Sequence, residues 1–351
     1  GLSGGKDSSY VAYRLCKEYG LNALLVTFDN GFLTEYARQN IELMVQRLGA
    51  DHLYLKPPDP VFHRKVYRSC MKWIGVPCPG CTFPGMLMCI KKAIELEIPL
   101  LVHGRSRAQM FKELTEGTND PFLKVVYSNF RPDDAERNKR LVRDVVRRMQ
   151  RLLRFFVSDR KLRPALQQTF YPDPARLARC EHAPEFIGLF LYEHYDELKM
   201  MKVLERELGW HPPDEPAILT HQDCRIHEAA AYFYTQVCGQ PMIVQELSTM
   251  IREGEISRGQ ALERQAQEQT NTSYNRPAAL ALAEMADLTE EQLLRTVRTG
   301  RLKMEVVKLL LKLRNMVLPR SKLPIPLTLQ PSRRVSPGTP PRERASSSAT
   351  G

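Results

Sequence analysis

The stretch Ser3-Gly4-Gly5-Lys6-Asp7-Ser8-Ser9 decides the fold that we expect for this chain. Its two glycines let the backbone turn tightly and approach an anion closely. The serine hydroxyls add hydrogen-bond donors, and the lysine adds a mobile positive charge. An apolar helical pattern follows directly, so the free N–H groups and the positive dipole end of that helix point at the same place. The stretch therefore predicts a site for a phosphate or a pyrophosphate.

The loop differs from a Walker A loop, in which Ser or Thr follows Gly-Lys directly, because Asp7 follows Lys6 here. It instead resembles the PP-loop of the ATP pyrophosphatase superfamily (adenine nucleotide alpha hydrolase-like), whose signature is Ser-Gly-Gly-x-Asp-Ser. The resemblance implies that ATP is cut between its α and β phosphates and that AMP passes to a carbonyl oxygen of the substrate. A nitrogen or sulfur nucleophile would then displace AMP. The alternative is a serine- and glycine-rich loop that arose by chance.

Short apolar runs alternate with helical patterns through the first hundred residues. Strands are predicted at 23–28, 53–55 and 99–103, and helices at 10–20, 34–48, 60–74 and 85–97. This alternation predicts an α/β fold with a doubly wound parallel sheet, followed by a mainly helical C-terminal region. Because ligands of such sheets bind at the carboxyl ends of the strands, residues 3–9, 29–31 and 103–106 are expected around one pocket.

We expect four parts along the chain. Residues 1–125 form a PP-loop ATP-binding domain, 126–270 a mainly helical region for substrate or partner, and 271–318 a small helical extension. The proline- and serine-rich tail, 319–351, is expected to be disordered. Because the chain opens at Gly1-Leu2 without an initiator Met, we expect a piece of a longer protein with a truncated first strand.

Composition narrows the class of protein. Among 351 residues, 43% are hydrophobic, and no run approaches the roughly 18–20 apolar residues of a membrane span. No signal peptide is visible. The eight cysteines are scattered, which indicates reduced thiols or metal ligands rather than a disulfide framework. We therefore expect a cytoplasmic protein without a membrane span.

The net charge of +11 is concentrated in residues 121–170, which hold thirteen Lys and Arg against five Asp and Glu. Within that segment two sets of side chains recur at helical spacing. The apolar set is Leu141, Val145, Met149, Leu152 and Phe156, and the basic set is Arg140, Arg143, Arg147, Arg151 and Arg154. The pattern predicts a basic amphipathic helix. It could bind RNA phosphates, an acidic or nucleotide-linked substrate, or an acidic partner, or it could simply be a solvated surface.

A Cys-x-x-Cys pair, Cys78 and Cys81, is predicted in a turn just before the helix at 85–97. Such a turn can hold two corners of a zinc site or an iron–sulfur cluster, or it can carry out thiol–disulfide chemistry. A purely structural turn is the alternative. Further ligands would have to come from elsewhere, and the candidates are Cys70, Cys89, Cys180, Cys224 and His221.

A third cluster is formed by His221, Asp223 and Cys224, with His227 nearby. These side chains could bind metal or perform acid–base and nucleophilic chemistry. Asp223 could equally be only the N-cap of the helix that follows.

Within the superfamily, the chain is most similar to the N-acetyl sugar amidotransferase group of bacterial surface-sugar synthesis. The similarity rests on residues 3–10, 28–31, 78–81, 97–104, 207–210, 247–248 and 254–262. It covers roughly residues 1–265. The chain departs from the group at 103–106, where His-Gly-Arg-Ser replaces a Trp-Gly-Glu-Asn type of ending, and in the basic segment 121–170.

The resemblance implies ATP-dependent amidation of an N-acetyl sugar or a nucleotide-linked sugar, with ammonia supplied by a partner glutaminase subunit. Catalysis would fall to Lys6, Asp7 and Ser8, and Asp7 would order the loop or meet Mg²⁺. The nucleotide would be held by Ser3, Gly4, Gly5, Lys6, Asp7, Ser8, Ser9, Asp29 and Gly104.

Two other classes stay open. Transfer-RNA thiolation enzymes resemble this layout, and in some of them three cysteines hold a [4Fe–4S] cluster that delivers sulfur. Here Cys78 and Cys81 would be joined by Cys180 or Cys224. In the amidotransferase class the pair would hold zinc or no metal. A non-catalytic nucleotide-binding protein that kept the loop is the third class.

Overall fold

Within the part of the chain that the structure describes, four short strands form two parallel pairs. The computed structural model describes residues 1–106, 108–109, 130–131, 133–212, 223–252, 254–271 and 273–317. Strand β1 (Leu25–Phe28) pairs with β2 (His52–Leu55), and β3 (Leu100–His103) pairs with β4 (Glu185–Gly188). The described part of the chain is thus mixed α/β and mostly helical, with small parallel sheets.

The first two residues contact both strand pairs. The amide of Leu2 donates to the carbonyl of Val26 in β1 at 2.7 Å. The amino group of Gly1 donates to the carbonyl of Val102 in β3 at 3.1 Å. The hydroxyl of Thr27 donates to the carbonyl of Leu2 at 2.6 Å. The start of the chain therefore lies between β1 and β3, and the loop that follows it begins at the carboxyl ends of both strands.

Helices surround the strands. They are α1 (Lys6–Tyr13, continued by a π-helical turn, Arg14–Glu18), α2 (Glu35–Leu48), α3 (Pro60–Ile74), α4 (Pro79–Glu95), α5 (Ala135–Phe156), α6 (Arg163–Phe170), α7 (Pro174–Arg179), α8 (Glu197–Leu208), α9 (His227–Cys238), α10 (Ile243–Arg252), α11 (Arg258–Asn271), α12 (Arg276–Ala286) and α13 (Glu290–Val317). Short 3₁₀ turns lie at Arg160–Leu162 and Leu189–Leu191.

Local sequence signals set several helix ends. The Thr34 hydroxyl accepts from the amide of Ala37 at 3.1 Å and caps α2, which ends at Gly49 in the left-handed conformation. Thr289 and Gln292 form a reciprocal capping box before α13, each side chain accepting from the other's amide at 3.1 Å. These ends agree with the helical patterns in the sequence.

In the described residues, apolar clusters pack the helices on the strands and on one another, and three of these clusters are large. One packs α4 against α5 and α6, with Leu87, Val145 and Leu166 buried. A second packs α1, α2, β1 and α8, with Val11, Ile41 and Leu204 buried. A third joins α3, α9, α12 and α13 through Tyr67, Phe233, Leu282 and Leu293. The second cluster fixes the glycine-rich loop at residues 3–5, for which we predict phosphate binding and which we call the phosphate loop, because α1 begins directly after it.

Three local predictions were wrong. Helix α4 begins at Pro79 rather than at 85, because Pro is tolerated in a first helical turn, so Cys78 is the N-cap and Cys81 lies inside the helix. Residues 185–188 form β4 within a region that we predicted to be helical. The N-cap of α9 is Ile226, not Asp223.

Other sequence-based expectations concern the chain as a whole. None of the helices in the described ranges combines the length and apolar character needed to cross a bilayer. The described residues belong to one unit, and β4 pairs with β3 across the boundary predicted at 125. The predicted domain boundaries remain predictions. The tail predicted at 319–351 lies outside the described residues.

We expect the contact between α8 and α1 to depend on buried leucine. Leu204 of α8 is fully buried, whereas Leu198 on the same helix is 71% exposed. Leu204→Ala removes packed methyl groups and should lower the free energy of unfolding by about 2–5 kcal/mol. Leu198→Ala should change it by about 0.5 kcal/mol or less. Urea denaturation of both variants measures the difference, and equal effects would contradict this packing.

Candidate functional site

The N-terminus of α1 is open. Gly5 is its N-cap in an extended conformation, with no side-chain cap, and the first helical hydrogen bond runs from the amide of Ser9 to the carbonyl of Gly5 at 3.1 Å. The amides of Lys6, Asp7 and Ser8 therefore have no acceptor within the helix. Such a helix end attracts an anion.

Serine side chains hold the loop in shape. The hydroxyl of Ser8 accepts from the amide of Ser3 at 3.0 Å and donates to the carbonyl of Gly5 at 3.1 Å. It also lies 3.1 Å from the Ser3 hydroxyl. Ser9 is fully buried. Ser3, Gly5, Lys6, Asp7 and Ser8 line the adjoining cavity, whereas Gly4 and Ser9 lie behind its wall.

Two glycines permit close backbone contacts around the loop. Gly4 has φ +82°, and a Cβ at this position would lie 2.3 Å from the carbonyl oxygen of Ala37. A Cβ at Gly104 would lie 2.9 Å from the carbonyl oxygen of Asp7. Gly104 lines the cavity and lets the end of β3 pack directly against the first turn of α1.

Trp210 fixes the loop from a distant part of the sequence. Its indole N–H donates to the carbonyl of Gly4 at 3.0 Å, and its side chain is 2% exposed. Tyr36 packs against the indole edge-on. Sequence reasoning assigned Trp210 no role in the site. The sequence feature that could have drawn attention to Trp210 is its position directly after Leu208 and Gly209, where α8 ends.

Three side chains, those of Asp7, Tyr195 and Glu197, enclose Lys6. The ammonium lies 3.2 Å from Asp7 Oδ1 and 3.2 Å from Glu197 Oε1. The Tyr195 hydroxyl donates to Asp7 Oδ1 at 2.9 Å. Tyr195 lies just before α8 and Glu197 is the first residue of that helix, and sequence reasoning did not connect either residue with the loop. The network places one positive and two acidic groups beside the open helix end.

Burial and neighbouring charges act in opposite directions in this network. Burial disfavours the charge on Lys6, but Asp7, Tyr195 and Glu197 together outweigh it and raise the pKa of the lysine above its usual value. Burial raises the pKa of the Asp7 carboxyl, although Lys6 and the Tyr195 hydroxyl oppose this shift. Lys6 is therefore held as a cation, which suits it to bind phosphate.

Asp29 directly follows β1, and its carboxylate makes structural contacts. One carboxylate oxygen accepts from the amide of Gly31 at 3.0 Å, and the other lies 3.1 Å from Lys56 Nζ and 3.5 Å from Arg38. Asn30 lines the cavity beside it and donates to Cys81 Sγ at 3.0 Å. The structure thus places Asn30, rather than Asp29, along the cavity wall.

Cys224 comes close to the Cys-x-x-Cys pair. Cys224 forms an antiparallel bridge with Leu33, and both Cys81 and Cys224 line the cavity. The pKa of Tyr67 is raised by burial and by the nearby thiols of Cys81, Cys224 and Cys78. Cys81 and Cys224 both pack against the apolar cluster that contains Tyr67. Burial also raises the pKa of the Cys81 and Cys224 thiols.

Cys180 lies elsewhere. Its thiol donates to the carbonyl oxygen of Arg176 at 3.2 Å and belongs to the apolar cluster around α4 and α5. Cys70 is fully buried, and Cys89 lines the cavity. His221 lies outside the described residues. Across the described ranges, no three His, Cys, Asp or Glu side chains adopt an arrangement that could hold a metal ion.

Asp223 connects the cysteines with the phosphate loop. Its carbonyl accepts from the amide of Thr34 at 3.2 Å, and its buried carboxyl interacts with Ser3. Burial raises the pKa of this carboxyl, opposed by Ser3, His227 and Lys6. A carboxyl with a raised pKa in a cavity can exchange protons with a bound substrate.

The side chains of Lys6, Asp7, Tyr195, Glu197 and Asp223 border one cavity of about 720 Å³. Its walls come from the phosphate loop, the ends of β1 and β3, the first turn of α8, and the Asp223–Cys224 segment. Most of its exposed lining is apolar. This size and character are typical of a site for a nucleotide-sized ligand.

The basic helix lies away from this cavity. In α5, Val142, Val145, Met149 and Leu153 are buried, whereas Arg140, Arg147, Arg151 and Arg154 are exposed. The predicted amphipathic helix is confirmed. Its buried face includes Val142 and Leu153, each one residue after the predicted Leu141 and Leu152. None of its four exposed arginines lines the cavity.

Comparisons with known proteins add no family. No protein-family model matches the chain, and no curated protein matches it.

We expect Asp29 to make stability depend on pH. Burial would raise the pKa of this carboxyl, but the Gly31 amide and Lys56, with Arg38, outweigh it and hold the pKa below its usual value. Its stabilising effect is thus present above about pH 4 and lost as pH falls through the lowered pKa. Asp29→Asn should destabilise the protein at pH 7, and the difference from wild type should shrink in acid.

Urea denaturation between pH 7 and pH 2.5 measures this difference. Asp51→Asn, which removes an exposed carboxylate just before β2, is the matched control. A wild-type advantage over Asp29→Asn that grows as the pH falls would contradict this role for Asp29.

Proposed function

We propose that this chain is an ATP-dependent enzyme of the PP-loop class, which adenylates a substrate carbonyl oxygen and releases pyrophosphate. One observation carries the proposal. The N-terminus of α1, whose first residue is Lys6, has no side-chain cap and lies beside a cavity of about 720 Å³. The Gly4-Gly5 loop and the open amides provide the chemistry that binds a polyphosphate.

We also propose that the strands belong to one doubly wound parallel sheet of the kind found in PP-loop (HUP-type) proteins. The hydrogen bonds of Leu2 to Val26 and of Gly1 to Val102 support this proposal. A strand ending at these residues would join the two pairs in the order β2, β1, first strand, β3, β4. The phosphate loop would then leave the middle of the sheet at its carboxyl edge, where ligands of such sheets bind.

In the proposed reaction, the substrate oxygen attacks the α-phosphorus of ATP, and the bond between the α-phosphorus and the bridging oxygen to the β-phosphorus breaks. The α1 amides and Lys6 would hold the departing pyrophosphate. Asp7 fits a role in holding Mg²⁺, because its carboxylate lies beside this position; the ion would supply further charge neutralisation. Trp210, through Gly4, keeps the loop in the shape that aims its amides.

Nitrogen is the first nucleophile that we propose, because the sequence resembles the N-acetyl sugar amidotransferase group. Ammonia from a partner glutaminase would displace AMP from an N-acetyl sugar or a nucleotide-linked sugar. The raised pKa of the Asp223 carboxyl supports proton transfer during this step. Because the reaction consumes ATP, we propose a cytoplasmic location.

Replacing Lys6 should remove the reaction. Lys6→Ala takes away the cation expected at the pyrophosphate and should lower AMP formation from ATP by at least about 100-fold. Lys199→Ala, which removes an exposed lysine from α8, is the matched control and should retain activity. The assay follows labelled ATP with Mg²⁺, ammonium and sugar nucleotides, and separates AMP from ADP.

The products decide between the proposed classes. AMP and pyrophosphate support the PP-loop reaction. ADP and phosphate, or undiminished AMP formation in Lys6→Ala, would rule it out. ATP binding without any product from these acceptors or from tRNA would favour the non-catalytic alternative.

Transfer-RNA thiolation is the second candidate, and the position of Cys224 favours it. Cys81 and Cys224 both line the cavity and pack against the apolar cluster that contains Tyr67, and the Cys78 thiol also influences the pKa of that tyrosine. Thiolates are the ligands that iron–sulfur clusters use, so the chemistry of these side chains suits a [4Fe–4S] cluster with Cys224, rather than Cys180, as the third ligand. In the described residues the three thiols are not arranged to hold a metal ion, so the cluster would have to draw them together. Such a cluster would supply sulfur. Zinc at the same cysteines, or no metal, fits nitrogen transfer.

Metal analysis of cysteine variants separates these outcomes. If a cluster is present, protein purified without oxygen should contain about four iron and four sulfide per chain. The iron and sulfide should be lost in each of Cys78→Ala, Cys81→Ala and Cys224→Ala. Cys180→Ala should retain them, because the Cys180 thiol lies in the apolar core around α4 and α5. Iron in none of these proteins would contradict the thiolation candidate, and retention in Cys224→Ala would contradict its proposed ligands.

A further inference from the structure

We propose that Glu197 is an internal counterion of Lys6 that a bound polyphosphate displaces and that returns when pyrophosphate leaves. The inference rests on the proposed function and adds a positioning residue that controls the affinity for pyrophosphate. Glu197 lies 188 or more residues beyond the phosphate loop in sequence, so the fold alone brings it to Lys6.

The fold holds Glu197 against the loop. It is the first residue of α8, and the Asp196 side chain caps that helix by accepting from the amide of Lys199 at 3.0 Å. Leu204 and Leu208 anchor α8 in the cluster that also contains α1. Both partners are sheltered, with the side chain of Lys6 13% exposed and that of Glu197 20% exposed. The ion pair is therefore part of the packed structure.

The charges around Lys6 leave an excess of negative charge. Two carboxylates, Asp7 and Glu197, share one ammonium at 3.2 Å each. The phosphates expected at the open end of α1 would meet both carboxylates. Because like charges repel strongly in a sheltered site, a polyphosphate can take Lys6 only if one carboxylate gives way.

Glu197 is the carboxylate that can give way. Asp7 belongs to the first turn of α1 and accepts a hydrogen bond from the Tyr195 hydroxyl at 2.9 Å. The polar contact described for the Glu197 carboxylate is its ion pair with Lys6. Its side chain is longer than that of Asp7 and can rotate away from the cavity without moving α8.

This exchange has a consequence for the ligand. A triphosphate or pyrophosphate offers Lys6 several negative oxygens, which compensate for the loss of Glu197. AMP, whose single phosphate is bound at the other side of the cleaved bond, leaves the ion pair in place. Glu197 thus weakens the binding of pyrophosphate and favours its release, at the cost of some affinity for ATP.

Titration calorimetry with pyrophosphate and Mg²⁺ tests the inference. Glu197→Gln keeps the shape of the side chain and removes its charge, so it should bind pyrophosphate about tenfold more tightly than wild type. Glu205→Gln removes an exposed carboxylate from the same helix and should bind within about twofold of wild type. Glu197→Asp, which retains the charge, should resemble wild type more closely than Glu197→Gln does. Circular dichroism verifies that each variant is folded.

Two failures are distinguishable. Wild-type protein that binds neither ATP nor pyrophosphate would overturn the proposed function, and this inference with it. Wild-type binding that is lost in Lys6→Ala, together with equal or weaker binding in folded Glu197→Gln, would overturn the role of Glu197 alone.

Discussion

The close packing of Gly4 against α2 is the constraint on which the candidate site depends. A Cβ at Gly4 would lie 2.3 Å from the carbonyl oxygen of Ala37, so only glycine fits there. Its positive φ turns the chain from the segment beside β1 into α1, and the Trp210 indole holds its carbonyl. Because the loop is fixed on both sides, Lys6, Asp7 and Ser8, whose amides have no acceptor within α1, are held at the cavity wall. A preorganised set of donors binds an anion at a lower entropic cost.

The rest of the site comes from parts of the chain that are far apart in sequence. Tyr195 and Glu197 reach the loop because β4 pairs with β3 and α8 then packs on α1. Asp223 and Cys224 reach it because their segment runs antiparallel to residues 32–34. The uncapped end of α1 is thus built by local sequence, whereas the charged groups around it are brought by tertiary packing.

The sequence predicted the local features well. The loop, the strands at 25–28, 52–55 and 100–103, and the helices at 35–48 and 60–74 follow from apolar periodicity and turn residues. It could not predict β4, whose four residues lack a distinctive pattern and are strand only because β3 offers them a partner. The ion pair of Lys6 with Glu197 and the gathering of Cys224 beside Cys81 depend on three-dimensional contacts, so periodicity contains no signal for them. We propose that the two strand pairs belong to one doubly wound sheet, and the hydrogen bonds of Gly1 and Leu2 support this proposal.

A crystal structure of the protein with Mg²⁺ and the uncleavable analogue α,β-methylene-ATP tests the central claim most directly. The account predicts that the β- and γ-phosphates lie on the amides of Lys6, Asp7 and Ser8, with Lys6 bound to them and Glu197 turned away. Phosphates bound elsewhere in the cavity, with the Lys6–Glu197 ion pair intact, would contradict it.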